Sequence, residues 1–534
     1  MNIKLTKNNT VDILKKMFFI VFTVIFAFLF FGTLFNLVGD VVVYQKYGDG
    51  TVEAITKRMA VPFVRSIISS VCFFALFAMI YKYISKNIEY IEKNEKFCIT
   101  LITVFVFVFY LIASWIFESK GMGEVRIVMD AADILAKEGY LLNTDGQDYH
   151  HYFTVFALIR NVLIYLVLLA KVAFALGLAS VKSLAILINC IMMALTVPML
   201  YYIVKKNFGT KEAIMAVLLV IACLPVALFT HVVYNFVLIY PIIVFTLFVY
   251  TLLQHSKRNN KYIILLLSVL CGFAIAAGSQ LNIAAAIILV AINIQAFMYD
   301  NKRAILAIDI VFIVSYMALS HFSAGFADKY IYNEQYNEEN GMPALSWFYT
   351  GLNEDTVGMF TGETSDFLYD YETKTEREII LKQKIEDNLK QKGLFGYIKH
   401  VYKKLIVDFG TGDWGTNRAF WYNNKHYLYR PSIFTQFVTL DGQYIHIYKI
   451  ITQGYHIMSM FMVLIGAAVM MKKSKTFISP WVSLFGLMLA CGINETNPNH
   501  AFSYVAIFYI CAAVGMVTLL DYIFKKTEEI KNER

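Results

Sequence analysis

Apolar runs of about twenty residues recur along this chain, separated by polar segments rich in lysine. A helix of that length rises about 30 Å, the thickness of a bilayer's hydrocarbon core. In lipid each backbone must satisfy its own hydrogen bonds, which a helix does within the segment. The runs fall near 17–38, 62–84, 98–117, 181–203, 212–230, 233–253, 262–277, 282–299, 304–321, 448–471, 477–493 and 501–523. A thirteenth, 153–176, is interrupted by Arg160 and Lys171. Composition agrees: 16% of the residues are charged, against about 25% in a soluble chain. The expected fold class is an all-α polytopic membrane protein. The first run lacks a small-residue cleavage site and is followed by many more, so it reads as an anchor rather than a signal peptide.

Lysine placement decides the status of 153–176, because cytoplasmic loops carry the excess of positive charge. With Lys4, Lys7, Lys15 and Lys16 inside, span two returns to a loop holding Lys82, Lys86, Lys93 and Lys96. If 153–176 crosses, Lys205-Lys206, Lys257-Arg258, Lys302-Arg303, Lys472-Lys473 and Lys525-Lys526 all land outside. If it lies along the outer interface, all five land inside. The expectation is therefore about twelve crossings and one interfacial segment, with Arg160 and Lys171 reaching the headgroups. The net charge of +8 is explained by these loop lysines and points to the bilayer, with no nucleic-acid partner. The seven cysteines fall inside or at the edge of apolar runs with no CxxC. They read as small hydrophobes, giving neither a disulfide framework nor a thiolate metal site.

This topology puts Glu124–Tyr152, Ser279-Gln280, Asn494–His500 and residues 323–447 on the outer face. The last segment is too long for an idle connection. Glu124 opens EVRIVMDAADILAKEG, a helical stretch ending in Gly139-Tyr140. A carboxylate at a membrane surface can take the proton of an attacking hydroxyl or amine; it can also be one more solvated loop acid, like Glu118 and Asp133. Asp130 is the second candidate base, or a partner fixing Arg126 four residues earlier. In Tyr149-His150-His151-Tyr152, neighbouring imidazoles on a helix diverge by about 100°, against one shared metal. His150 remains a candidate substrate contact, while the cluster also suits a headgroup-level anchor. Lys403 and Lys404, after Lys399, could hold a phosphate or only attract headgroups. In the polar turn Asn494–His500, Glu495 and His500 could reach a cleft. Among the described motifs of soluble enzymes, none of the Walker, GxGxxG or zinc signatures occurs in the sequence. No metal and no cofactor is implied.

The order acid, small pair, glycine (Glu124, Ala131-Ala132, Gly139) resembles the first outer loop of GT-C glycosyltransferases. The likeness is to Gram-positive relatives of family 39 protein O-mannosyltransferases and to aminoarabinose transferases. Tyr149–Tyr152 stands where that family has Tyr-Pro-Pro, and Glu124 where it commonly has Asp. Tyr234-Asn235 is similar to an outer turn of relatives, and Pro343–Gly358 with Lys403–Trp414 to their large outer loop. Glu495 fits their last outer turn, with His500 and Tyr504 replacing a basic-aromatic pair. The resemblance implies a GT-C-type bundle with an outer interfacial helix and a large outer loop. It implies inverting transfer of a hexose or pentose from a polyprenyl-phosphate-sugar donor to a cell-envelope glycan or protein acceptor.

In that reading Glu124 or Asp130 is catalytic. Lys403, Lys404, His150, Gln280, Glu495 and His500 bind donor phosphate or substrate. The expected divisions are 1–97 (N-terminal pair), 98–322 (core, with a catalytic outer loop over 118–180), 323–447 (outer loop region) and 448–534 (C-terminal helices). The Lys-, Asn-, Ile- and Tyr-rich composition suggests an AT-rich bacterial genome, which fits a cell-wall or capsular glycan acceptor, and the expected location is a bacterial plasma membrane. Two rivals stay open. A polysaccharide polymerase shares the late outer loop. A lipid or glycan transporter, or flippase, would show charges within the spans, where Asp309 is the one clear acid.

Overall fold

The computed structural model describes residues 7–35, 41–46, 52–57, 63–119, 123–144, 146–256, 260–299, 302–360, 367–416, 428–439, 442–473 and 477–532. The helices are α1 (Lys7–Leu34), α2 (Phe63–Lys86), α3 (Ile88–Lys93), α4 (Glu95–Phe117), α5 (Gly123–Glu138), α6 (Tyr149–Val155) and α7 (Arg160–Ala175). Then come α8 (Lys182–Asn207), α9 (Thr210–Ala222), α10 (Leu224–Leu228), α11 (Asn235–His255), α12 (Lys261–Leu281), α13 (Ala286–Tyr299) and α14 (Lys302–Tyr330). The last are α15 (Leu345–Gly351), α16 (Lys374–Phe409), α17 (Ile445–Lys472), α18 (Ser479–Ile493), α19 (Pro498–Phe502) and α20 (Val505–Asn532). A small antiparallel hairpin, β1 (Val41–Lys46) with β2 (Val52–Lys57), joins α1 to α2.

Long apolar helices form a bundle whose centre is α11, α17 and α20, buried over most of their lengths. The periphery is apolar but exposed, as a lipid-facing surface requires: Val314 and Met317 of α14 are 62% and 66% exposed. Five cysteines are buried, Cys98 is partly so and Cys72 is exposed; all are free thiols. Asp309 of α14, the acid within a span, accepts from Asn293 at 2.9 Å.

The two ends of the bundle differ. At one end lysines tie helices together: Lys205 pairs with Glu95, and Lys211 with Asp521 and Tyr81 at 3.1 Å each. Lys15 pairs with Asp12 at 3.0 Å and reaches the Lys473 carbonyl. The opposite end carries the long loops. Lys257-Arg258 lies outside the described residues; Lys205-Lys206, Lys472-Lys473 and Lys525-Lys526 follow helices running toward the lysine-rich end.

Length and composition alone would let 157–175 cross, but its tethers place it otherwise. At its start, Asn161 donates to the Gln280 carbonyl (2.8 Å), at the loop-bearing end of α12. Just past its end, Val181 N–H donates to Asp133 (2.9 Å) and Lys182 to the Ser119 carbonyl (2.7 Å), beyond the loop-bearing end of α4. Both ends of α7 therefore sit at one face, and it runs along the interface beside α5. Among the described residues nine other helices (α1, α2, α4, α8, α11, α12, α14, α17 and α20) and the bent pair of α9 with α10 are long and apolar enough to cross, while α13 and α18 are shorter apolar helices. The expectation for Arg160 fails. It is 9% exposed, donates to the Phe153 (2.8 Å) and Thr154 (3.4 Å) carbonyls, and lies over the Tyr332 ring. The open carbonyls at the end of α6 draw the guanidinium inward.

One span is broken. After α9 the chain turns 57° at extended Cys223 into α10, with Pro225 at its start. Proline has no N–H for the Ile221 carbonyl, and Cys223 N–H turns to Val220. The Leu219 carbonyl is met by the Tyr455 hydroxyl of α17 at 2.5 Å, and Asn189 of α8 donates to the Thr230 carbonyl at 2.8 Å.

Candidate active site

Glu124 stands in the first turn of α5, exposed at the loop-bearing face. The positive end of the helix dipole favours a carboxylate there. The Tyr234 hydroxyl donates to its Oε2 at 2.9 Å. Tyr234 is the residue before α11, in extended backbone and 7% exposed. Tyr152 of α6 lies close by, near enough to feel the Glu124 charge. Burial, with the nearby Glu124 charge, pushes both phenols well above their ordinary range, so they remain donors.

Short α6 is fixed at this spot from several sides. Asp148 caps it, accepting from the His151 N–H, Asn143 and the Tyr336 hydroxyl at 3.0 Å each. Partial burial raises the Asp148 carboxyl, but those donors outweigh it and hold it below its usual value. His150 faces two carbonyls, Ile331 (2.5 Å) and Leu141 (3.3 Å), while His151 packs against Tyr336 and Tyr369. Gln280 is likewise engaged: its amide donates to Ser320 (2.6 Å) and the Tyr316 carbonyl (3.1 Å), and its oxygen accepts from Asn161 (3.2 Å). His150 and Gln280 thus hold the frame.

Asp130 lies two turns along α5, half exposed, 3.8 Å from Arg126. Partial burial raises its carboxyl, against the pull of Arg126 and with Asp133 adding to the rise. Glu118, at the end of α4, is clamped by Arg430 (2.8 Å) and Lys182 (3.2 Å). Burial would lift that carboxyl, but the two cations hold it below its usual range.

The two lysines of α16 differ sharply. Lys403 is exposed, near enough to Glu354 to be felt by it. Lys404 is 1% exposed; its ammonium donates to the carbonyls of Gly492 (3.0 Å) and Asn494, at the end of α18. Burial pushes its pKa down, opposed by Asp408, Cys491 and Glu495. The surrounding backbone fits tightly. A Cβ on Gly351 would meet the Asn494 carbonyl oxygen at 2.5 Å and the Lys404 ammonium at 2.9 Å. Gly358, at φ +80°, lies against Thr496, whose N–H donates to the Gly358 carbonyl at 2.8 Å.

Glu495, 8% exposed, lies 3.7 Å from His500 on α19. Phe502 of α19 packs on Phe236, and Phe236 on Tyr234. Rings thus connect the last loop to the group holding Glu124. Nothing in the chain's local patterns announced the Tyr152–Tyr234–Glu124 contact, because its members are far apart in sequence. Of the aromatic stretch through Arg430, residues 417–427 lie outside the described residues. Among the described residues, no three His, Cys, Asp or Glu side chains gather to hold a metal ion.

Two solved structures are similar to this chain at 11% identity. One is the archaeal oligosaccharyltransferase AglB from Archaeoglobus fulgidus, in complex with an inhibitory peptide and a dolichol-phosphate (TM-score 0.43, 82% of this chain and 52% of that one). The other is ArnT from Cupriavidus metallidurans, bound to undecaprenyl phosphate (TM-score 0.31, 78% and 77%). The chain spans about half the length of the oligosaccharyltransferase. No curated protein matches it. Its membrane-spanning build, from the first helix to the end of α18, coincides with the conserved hypothetical integral membrane proteins, matched over residues 10–492, and the chain belongs to that family.

Proposed function

We propose that this protein is a GT-C-type membrane glycosyltransferase of a bacterial plasma membrane. It moves a sugar from a polyprenyl-phosphate-linked donor to a cell-envelope glycan or protein acceptor at the loop-bearing face. The observation that carries the reading is Glu124: an exposed carboxylate at a helix N-terminus on the membrane surface, held by a buried phenol. A lipid-borne donor presents its sugar at that depth. The acceptor hydroxyl attacks the anomeric carbon and gives its proton to Glu124 as the new C–O bond forms. The bond between that carbon and the phosphate oxygen breaks, and lipid phosphate leaves with the electron pair. A single displacement inverts the anomeric centre. A positioned base contributes about 10²–10⁴-fold.

Glu124 is preferred to Asp130 because buried Tyr234 holds it, whereas Asp130 faces exposed Arg126 at 3.8 Å. Lys403 is preferred to Lys404 for the leaving phosphate, since Lys404 already serves buried carbonyls. Glu495 and His500 would contact substrate from the last loop, and His150 and Gln280 would act by fixing α6 and α7. The test uses purified protein in liposomes with undecaprenyl-phosphate-linked hexoses and pentoses and an envelope extract as acceptor. Release of undecaprenyl phosphate should fall at least 10²-fold in Glu124→Gln with normal membrane insertion. Full activity in that variant, with loss in Asp130→Asn, would move the base to Asp130. Full activity in both would overturn the transferase reading.

A further inference from the structure

The second half of α16 has a face whose cover changes along its length. At Gly393 the helix breaks, with φ +60° and ψ 177°, a conformation that glycine alone adopts readily. Before the break the sequence is rich in charge; after it comes LFGYIKHVYKKLIVDF. At four-residue steps Leu394, Ile398, Tyr402 and Ile406 fall on one stripe, with Phe395, Lys399 and Lys403 in the neighbouring row. The opposite side is spent on protein. His400 faces the Gly351 carbonyl at 2.8 Å, and Lys404 meets the Gly492 carbonyl of α18 at 3.0 Å.

One end of the stripe is seated on α1. A Cβ on Gly410 would meet Thr33 Oγ1 at 2.8 Å, and one on Gly32 would meet Ile406 Cδ1 and the Tyr402 hydroxyl at 2.5 Å each. With no side chain at Gly32 in the way, that hydroxyl donates to the Phe28 carbonyl at 2.9 Å. Thr33, Gly32 and Phe28 step down α1 from its loop-bearing end as Gly410, Ile406 and Tyr402 step back along α16. The Phe28 contact lies about 9 Å along the axis from Leu34, at 1.5 Å per residue. There α1 faces lipid, with the Phe28 and Phe31 rings exposed.

Past Tyr402 the same stripe continues without a seat: Leu394, Phe395 and Ile398 are 69%, 87% and 54% exposed. Large apolar side chains left open side by side mark a docking surface. This one is continuous with the lipid-facing side of α1, and exposed Lys399 and Lys403 border it. An apolar stripe edged with lysine is the pattern of a helix lying in a bilayer interface. Lysine stems there lie along apolar surface while the ammonium groups reach the phosphates.

We propose that residues 394–402 are a membrane anchor of the outer loop region. Leu394, Phe395 and Ile398 enter the leaflet at the loop-bearing face beside α1, and Lys399 meets lipid phosphate. Gly393 supplies the bend that keeps the charged half of α16 in water while its continuation turns into the interface. The anchor also fixes Lys403, one turn on from Lys399, at the level of the phosphates. It does not depend on the transferase reading.

The test uses the whole protein in liposomes of phosphatidylethanolamine and phosphatidylglycerol, doped with a phospholipid carrying a diazirine in its acyl chain. After irradiation and trypsin digestion, the carbene should be found in peptide 393–399 and in lipid-facing α14. It should spare peptide 385–390, from the charged half of the same helix. Phe395→Glu/Ile398→Glu, at two exposed positions, should lose the label in 393–399 and keep it in α14, which reports an intact bundle. Equal labelling of 393–399 and 385–390 in the unaltered protein would overturn the anchor. So would a cross-link from Lys399 to a second copy in place of lipid label, which would make the stripe a contact between copies. The labelling needs neither donor nor acceptor, so either failure leaves the transferase reading as it was, and an active Glu124→Gln leaves the anchor as it was.

Discussion

At the scale of the residue, neighbours in sequence have opposite duties. Lys403 and Lys404 look alike in the chain, and nothing in their spacing says which is buried, because burial is decided by how α16 packs on α18. The ammonium of Lys404 meets the last carbonyls of α18, where a helix leaves them open. Lys404→Met should strip that partner from the Gly492 and Asn494 carbonyls. A buried acceptor left unmet costs about 1–3 kcal/mol, so the thermal midpoint in detergent should drop by several degrees. Lys403→Gln, at an exposed position, should leave the midpoint in place and raise the apparent KM for the lipid donor. A stable Lys404→Met protein with weakened donor binding would reverse the assignment. Arg160 teaches the same lesson: a charge inside an apolar run reads as a headgroup contact, yet carbonyls at the end of α6 claim it.

At the scale of the element, the tangential helix α7 was legible from lysine placement, and its supports were not. The contacts of Gln280 with Asn161, Ser320 and Tyr316 join α7, α12 and α14, and no local pattern marks them. Gln280→Ala should raise amide hydrogen exchange in 160–175 while leaving α11 and α20 protected; equal protection in both would show that α7 needs no such tie. The junction of α4 with the loops is held by Glu118 between Arg430 and Lys182. Its carboxyl is depressed in the folded protein, so its contribution is present above the unfolded value of about 4.3. That contribution is lost as pH falls below that value through the folded pKa. Trp115, under the Arg430 guanidinium, should report the loosening by fluorescence in that acid range, and Arg430→Met should shift it toward pH 4.3.

At the scale of the whole molecule, the long apolar spans and the gathering of loops at one end follow from hydrophobic run lengths and lysine arithmetic. Both are one-dimensional properties. The site is not, since Glu124, Tyr152 and Tyr234 meet only after three separate segments pack. Sidedness can be checked directly. Single cysteines in place of Lys205 and Lys525 should react with an impermeant reagent only after the membrane is opened, and labelling from outside in intact cells would invert the topology.

The break between α9 and α10 bears on how such a chain can be built. Its Leu219 carbonyl is completed by Tyr455, more than two hundred residues later in the chain. A ribosome delivers α9 to the bilayer well before α17 exists. Until then, that carbonyl must find water or another partner, since an unmet polar group in hydrocarbon costs several kcal/mol. The middle of the protein is thus finished by its last third. A chain cut before residue 445 should insert its early spans yet leave 219–231 open to protease, and restoring α17 to α20 as a separate fragment should close it.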